Sequence, residues 1–209
     1  VIRQIVRVNK AKRQQVNVPQ FDADSAYLYV KNQVDFGPRV PNTKEHVACG
    51  NYLAGQLEAF GAQMTNQYAD LIAYDGTLLK ARNIIGSYKP ESKKRIALFA
   101  HWDTRPWADN DPDEKNHNTP ILGANDGASG VGALLEIARL VNQQQPELGI
   151  DIILLDAEDY GAPQFYTGQH KEDSGVSDHS IGHAILMYRD IMHVLASCSI
   201  WWAVKVACL

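Results

Sequence analysis

Two short, nearly continuous apolar runs separated by one amphipathic segment constrain this chain more than any other feature. Residues 95–100, RIALFA, and residues 151–155, DIILL, are short for helices and lack the alternation of a strand with one wet face. Runs of this kind suit strands buried on both faces. Between them, residues 127–143 place Val131, Leu134, Leu135, Ala138 and Val141 on one face of a helix. Strand, crossover helix, strand implies a right-handed unit in a mainly parallel sheet. Such sheets take ligands at the carboxyl ends of their strands.

The remaining segments extend that architecture. Residues 1–20 are basic and aperiodic and read as an extension. Ala26, Tyr27, Val30 and Val34 predict a helix from Asp24 to about Gly37-Pro38, and Thr43 caps a second helix over residues 44–60 that stops at Gly61. Residues 63–74 and 79–88 read as strands, and residues 104–119 as a polar loop. A chain of 209 residues supports one well-buried core. The expected fold class is α/β, a three-layer sandwich around a mostly parallel central sheet.

Charge and cysteine content exclude several functions. Twenty basic against 24 acidic residues give a net charge of −4, so no global basic field draws in a nucleic acid. Cys49, Cys198 and Cys208 are an odd set at irregular spacing and form no disulfide framework. Residues 1–18 carry five cations with no apolar run between them, so no secretory signal is expected there. The chain opens on valine, which leaves the compartment undetermined.

Chemistry gathers where the buried strands end. The first runs into His101-Trp102-Asp103, the second into Asp156-Ala157-Glu158-Asp159, and the helix between them opens at Asn125-Asp126-Gly127. Imidazole and carboxylate are ligands that zinc accepts, and an aspartate two residues after a histidine can orient its ring. His101 and Asp126 are therefore candidate metal ligands, with Asp103 as the orienting acceptor. In the adjacent acidic pair, Asp159 is assigned to the metal and Glu158 to proton transfer, because a base beside a metal-held carboxylate is within reach of the reacting proton.

Structural readings of the same residues stand beside these. Asp126 could simply cap the helix that follows, and Glu158-Asp159 could be a solvated loop. The glycines at 127, 130 and 132 match no phosphate-binding pattern, because no G-x-G-x-x-G follows a strand and Asp126 would repel phosphate. They suit close helix packing. His46, His117 and His170 sit in polar contexts and read as surface residues. Trp102 and Trp107 flank the site and could line a substrate pocket or pack in the core.

FGPRVPNT (36–43), AHWDTRPWADND (100–111), PILGANDGASGVGALLE (120–136) and LLDAEDYG (154–161) resemble the zinc exopeptidase and aminopeptidase superfamily. The resemblance is specifically to its glutaminyl-peptide cyclotransferase branch of the Bacteroidetes type, and it runs from about Phe21 to Asp173. It implies a zinc enzyme that cyclises an N-terminal glutamine of a peptide or protein to pyroglutamate with loss of ammonia. By position, Asp126 and Asp159 would be zinc ligands and Glu158 the proton shuttle. His101 would be the ligand that two-metal aminopeptidases use and one-metal cyclases leave unoccupied. An aminopeptidase of the same superfamily is the natural alternative. Relatives are usually exported.

The resemblance stops near residue 174. The family continues with a strand ending in Asp, in a pattern like LLDMVG, and a later metal-binding histidine. Codons fitting residues 180–209 can be chosen so that reading from the third base of the Ser180 codon gives YWARNPHVPGYH and then ARFGILLDMVGGKGGMF. Only the first base of each shifted codon is free, so residues 175–209 are expected to be a frameshifted tail. On that reading the lost Asp is coded across Ser199 and Ile200, and Trp201 and Trp202 are out-of-phase residues. A genuine helix is the alternative. Its charges leave about fourteen residues between them, below the roughly 20 that span a bilayer. The expected organisation is an extension (1–20), the first part of a catalytic domain (21–174) and an aberrant tail. Such a chain would be truncated and inactive, a non-catalytic remnant without the last metal ligand. The sequence leaves the oligomeric state open.

Overall fold

A computed structural model describes residues 17–168 and the backbone of Trp201–Lys205. Helix α1 (Ala23–Asp35) starts at Asp22, whose carboxylate accepts the N–H groups of Asp24 and Ser25. Helix α2 (Lys44–Ala59) starts at Thr43, whose hydroxyl accepts the N–H of His46. Each cap satisfies donors that the first helical turn leaves unpaired. Strands β1 (Gln63–Ile72), β2 (Leu78–Tyr88) and β3 (Arg95–His101) follow, then α3 (Ala128–Gln143), β4 (Gly149–Leu155) and β5 (Trp201–Lys205). From α1 to β4 these elements fall where the periodicity placed them. Residues 1–16, most of the 175–209 tail, and with them His170, Cys198 and Cys208 lie outside the described residues.

The five strands form one sheet in the order β1-β2-β4-β3-β5. β3 runs parallel to β4, as the crossover pattern requires, and on its other side parallel to β5. β1 and β2, and β2 and β4, pair antiparallel, which makes the sheet mixed. The antiparallel start comes from a tight turn at Asp75-Gly76, where Gly76 takes φ 90° and the Ala73 N–H donates to the Thr77 carbonyl at 2.8 Å. Asp-Gly is a strong short-range hairpin signal. It was legible at 75–76 and would have fixed this pairing from sequence.

Alternate residues of each strand face opposite ways. Ile84, Ala100, Ile152 and Leu154 pack against Leu53 and Leu57 of α2 and Leu134 and Leu135 of α3. Each fully buried leucine or isoleucine there stabilises the fold by about 1.5–3 kcal/mol. Ala97, Phe99 and Ile153 form a smaller cluster on the other face. α1 lies on α3 across Gly132, where a Cβ would stand 2.7 Å from Val30 Cγ2 and 2.9 Å from the Ala26 carbonyl. Only a glycine lets the two helices approach so closely. At the far end of the sheet the buried Arg95 guanidinium pairs with Asp151, which also accepts from the Ser87 hydroxyl.

Candidate metal and catalytic site

The carboxyl ends of β3 and β4 lie side by side, because His101 is in parallel register with Leu155. The chain leaves β4 through Asp156 and a left-handed Ala157 at φ 58°, which throws Glu158 and Asp159 back toward β3. α3 begins at Gly127 with φ 93° and has no side-chain cap, so Asp126 does not cap the helix. A Cβ at Gly127 would stand 2.8 Å from the Asp103 carbonyl, so the start of α3 can lie against the end of β3.

His101, Asp103, Asp126, Glu158 and Asp159 therefore converge. His101 Nε2 is 2.9 Å from Asp126 Oδ1, and its Nδ1 is 3.5 Å from Asp103 Oδ1 and 3.7 Å from Glu158 Oε2. The wholly buried Asp103 carboxylate accepts the Glu158 N–H at 3.2 Å and the Asp159 N–H at 2.9 Å. Asp103 thus fixes the acidic turn as well as standing beside the ring. The turn is no freely solvated loop: the Glu158 and Asp159 side chains are 23% and 13% exposed.

The electrostatics follow from crowding four carboxylates around one imidazole and one guanidinium. Burial disfavours the charged His101 ring, yet the adjoining Asp103 and Asp126 carboxylates and the Glu158 charge outweigh it and lift the ring to about 11. The same contact with His101 holds the Asp126 carboxyl low. Burial, with the charges of Asp103 and Asp126, pushes Asp159 up to about 8, against the pull of His101 and Arg105. Two buried polar atoms have no hydrogen-bond partner here, Asp159 Oδ2 and His101 Nδ1.

That donor set tests the fit to zinc. Among the described residues no group of three or more His, Cys, Asp or Glu side chains is placed to hold a metal ion. The chemistry nevertheless fits a divalent cation: excess negative charge, an orphaned carboxylate oxygen on Asp159, and oxygen and imidazole donors of the kinds zinc takes.

The two tryptophans part company. Trp102 is wholly buried, stacked on His46 with ring centroids 4.3 Å apart, and its Nε1 donates to the Arg82 carbonyl. It is a core residue and lines no pocket, because its place between His101 and Asp103 turns it into the helix-covered face. Trp107 is partly exposed, packs edge-on against Tyr74 and Tyr160, and donates to the Gly161 carbonyl at 3.2 Å. Beside it, Arg105 clasps Asp109 through two hydrogen bonds and reaches to 3.8 Å from Asp159.

Two residues that frame the site escaped the sequence reading. His46 is buried, not on the surface; its Nε2 lies 2.8 and 2.9 Å from the two oxygens of Asp156. No local pattern links residues 110 apart in the chain. The wholly buried Arg39 donates to the carbonyls of Trp102, Leu122 and Gly123 at 3.1, 2.8 and 2.9 Å, fastening the ends of β3 and the α3 approach to one guanidinium. His117 stays outside the site: it is half-buried, with Nε2 against the Asp111 carbonyl.

The sequence profile of peptidase family M28 matches residues 83–188. Solved structures agree. The chain is 93% identical to Bacteroides thetaiotaomicron glutaminyl cyclase bound to N-acetylhistamine, with a TM-score of 0.73 over 76% of this chain and 54% of that one. It is also 93% identical to a leucine aminopeptidase precursor from Bacteroides thetaiotaomicron, with a TM-score of 0.74 over 76% and 55% of the two chains. A Zn-dependent exopeptidase from Parabacteroides distasonis is 63% identical, with a TM-score of 0.73 over 76% and 54%. The chain thus spans about half the length of each of these proteins. No helix among the described residues is long and apolar enough to cross a membrane. With the converging carboxylates at the ends of β3 and β4 and the match over residues 83–188, the chain belongs to peptidase family M28.

Proposed function

We propose that this chain carries the first half of a zinc-dependent glutaminyl-peptide cyclotransferase, in which Asp126 and Asp159 hold the metal and Glu158 moves the proton. The observation that carries this reading is the convergence of Asp126, Glu158 and Asp159 around His101, with a buried Asp159 oxygen left unpartnered. The 93% identity to a glutaminyl cyclase supports cyclisation, and the equal identity to a leucine aminopeptidase precursor keeps peptide cleavage beside it.

When bound, zinc would polarise the glutamine side-chain amide as a Lewis acid. Glu158 would take a proton from the peptide's α-amine as that nitrogen attacks the amide carbon, and pass it to the leaving nitrogen, which departs as ammonia. Asp103 holds Glu158 in place through the backbone, and the half-exposed Trp107 would face the substrate.

A catalytic zinc normally takes three protein ligands, and Asp126 and Asp159 are only two. His101 is the remaining donor beside Asp126, at 2.9 Å, and that proximity favours a second reading, a metal aminopeptidase. The other ligand of a cyclase is the histidine that the family pattern places after the LLDMVG strand, later than the segment that the shifted reading frame of residues 180–209 would restore.

One comparison separates these readings. Zinc content, ammonia release from a Gln-peptide and amino-acid release from an unblocked peptide are measured on this chain and on a frame-corrected version. The cyclase reading expects one zinc and ammonia release from the corrected protein, and only weak zinc binding without ammonia release from the 209-residue chain. Two zincs with amino-acid release would favour the aminopeptidase. An intact single frame in the coding DNA, without a family-like second frame, would end the frameshift reading.

A further inference from the structure

We propose that His46 is a positioning residue for the Glu158–Asp159 turn and acts through Asp156; the proposal rests on the reading of Glu158 as proton carrier and Asp159 as metal ligand. His46 stands in the first turn of α2, away from the converging carboxylates. Its Nε2 meets both Asp156 oxygens, at 2.9 and 2.8 Å. The same carboxylate accepts the Ala157 N–H at 2.8 Å and the Arg82 N–H at 2.7 Å, while the Asp156 N–H donates to Asn83 Oδ1 at 2.9 Å.

These bonds act at the point where the chain must take a strained shape. Ala157 has φ 58°, a conformation that costs a non-glycine residue about 1 kcal/mol or more. Asp156 holds the N–H of that residue, and Asp103 holds the next two. Two buried carboxylates thus fix three successive amides and thereby the directions of Glu158 and Asp159. Asp103 follows Trp102 in the chain, and the Trp102 ring stacks on His46 at 4.3 Å with 19° between planes. His46 therefore holds Asp156 by hydrogen bonds and packs on the residue that precedes Asp103.

A histidine kept only for stability would, on giving way to an apolar residue, leave the buried Asp156 carboxylate unpaired and weaken the whole fold, so exchange would rise equally at the turn and in the core. Loss of a positioning residue loosens the turn more than the core, because the turn hangs on Asp156.

The test compares His46→Leu, His46→Gln and Asp156→Asn in the full 209-residue chain. Gln retains a nitrogen donor that can reach Asp156. Amide hydrogen exchange is followed without metal, and cobalt(II) affinity is then read from its visible spectrum. In His46→Leu and Asp156→Asn, exchange at Ala157, Glu158 and Asp159 should rise about tenfold over that at Leu135 and Ile152 in the core. His46→Gln should stay within about threefold of the parent. Cobalt affinity should fall about 10–100-fold in the first two variants and recover in His46→Gln.

Unchanged exchange at the turn, or a rise equal to that of the core, in both disruptive variants would overturn the proposal, as would a failure of Gln to rescue. If the parent chain binds no cobalt, the metal reading fails by itself, and the exchange data decide the role of His46.

Discussion

His101 and Asp126 meet at 2.9 Å between Nε2 and Oδ1, tying the last residue of β3 to the residue before α3's cap. The contact is the main reason Asp126 titrates low, and it helps hold the ring near 11 against its ordinary value of 6.5. A cation whose folded value is raised stabilises fully below its unfolded value, and that contribution is lost as pH climbs through the folded one. Asp126→Asn should therefore cost most stability below pH 6.5 and progressively less toward pH 11. Because Asp126 is half-exposed, water screens the pair and the cost should be about 1 kcal/mol. Urea midpoints at pH 6 and pH 10 check this; a larger loss at the higher pH would contradict it.

Asp159 makes the opposite case for a substitution. Its folded value near 8 exceeds the ordinary 3.8, so the metal-free fold retains a proton that the unfolded chain releases. Stability should fall as pH rises from about 4 to 8. Replacing the carboxylate by the neutral amide in Asp159→Asn removes that loss. Thermal melts in chelator should show the variant equal to the parent near pH 4 and more stable at pH 8, by the order of 1–3 kcal/mol.

Metal addition reverses the role of that proton. A ligand must be deprotonated to bind, so zinc should displace the Asp159 proton and bind more tightly as pH rises toward 8. Calorimetry at pH 7 in buffers of different ionisation enthalpy should register about one proton released per zinc bound. Asp159→Asn should abolish both the release and most of the binding.

Gly132 offers a control remote from this chemistry. An added Cβ would press on Val30 and the Ala26 carbonyl, so Gly132→Ala should push α1 from α3. The expected loss is about 1–3 kcal/mol of unfolding free energy, with the zinc affinity per folded molecule unchanged. Denaturant titration and metal binding measured together distinguish this from damage at the site.

What the sequence disclosed depended on how local the cause was. RIALFA and DIILL marked β3 and β4 because burial on both faces leaves a continuous apolar run, and the candidate site residues followed at once from the strand ends. Asp75-Gly76 carries the antiparallel hairpin in its turn chemistry, while the patterns of residues 63–74 and 79–88 mark strands without giving their direction. Trp102 was ambiguous because strand alternation could not be extended past His101 by pattern alone. His46 and Arg39 were illegible for another reason: their partners lie 110 and 63 to 84 residues away, and nothing in the neighbouring residues records a long-range hydrogen bond.

Arg39 has a consequence for the order in which the molecule assembles. Its guanidinium emerges from synthesis well before Trp102, Leu122 and Gly123, the carbonyls that receive it. Contacts spanning such distances close loops whose entropy must be offset by structure already formed, so they form late. The scaffold of the site is therefore locked by a residue that waits for most of the domain to arrive. The geometry of the candidate site is a product of finished folding, and a nascent chain halted before Gly123 would carry His101 and Asp103 without the frame that aims them.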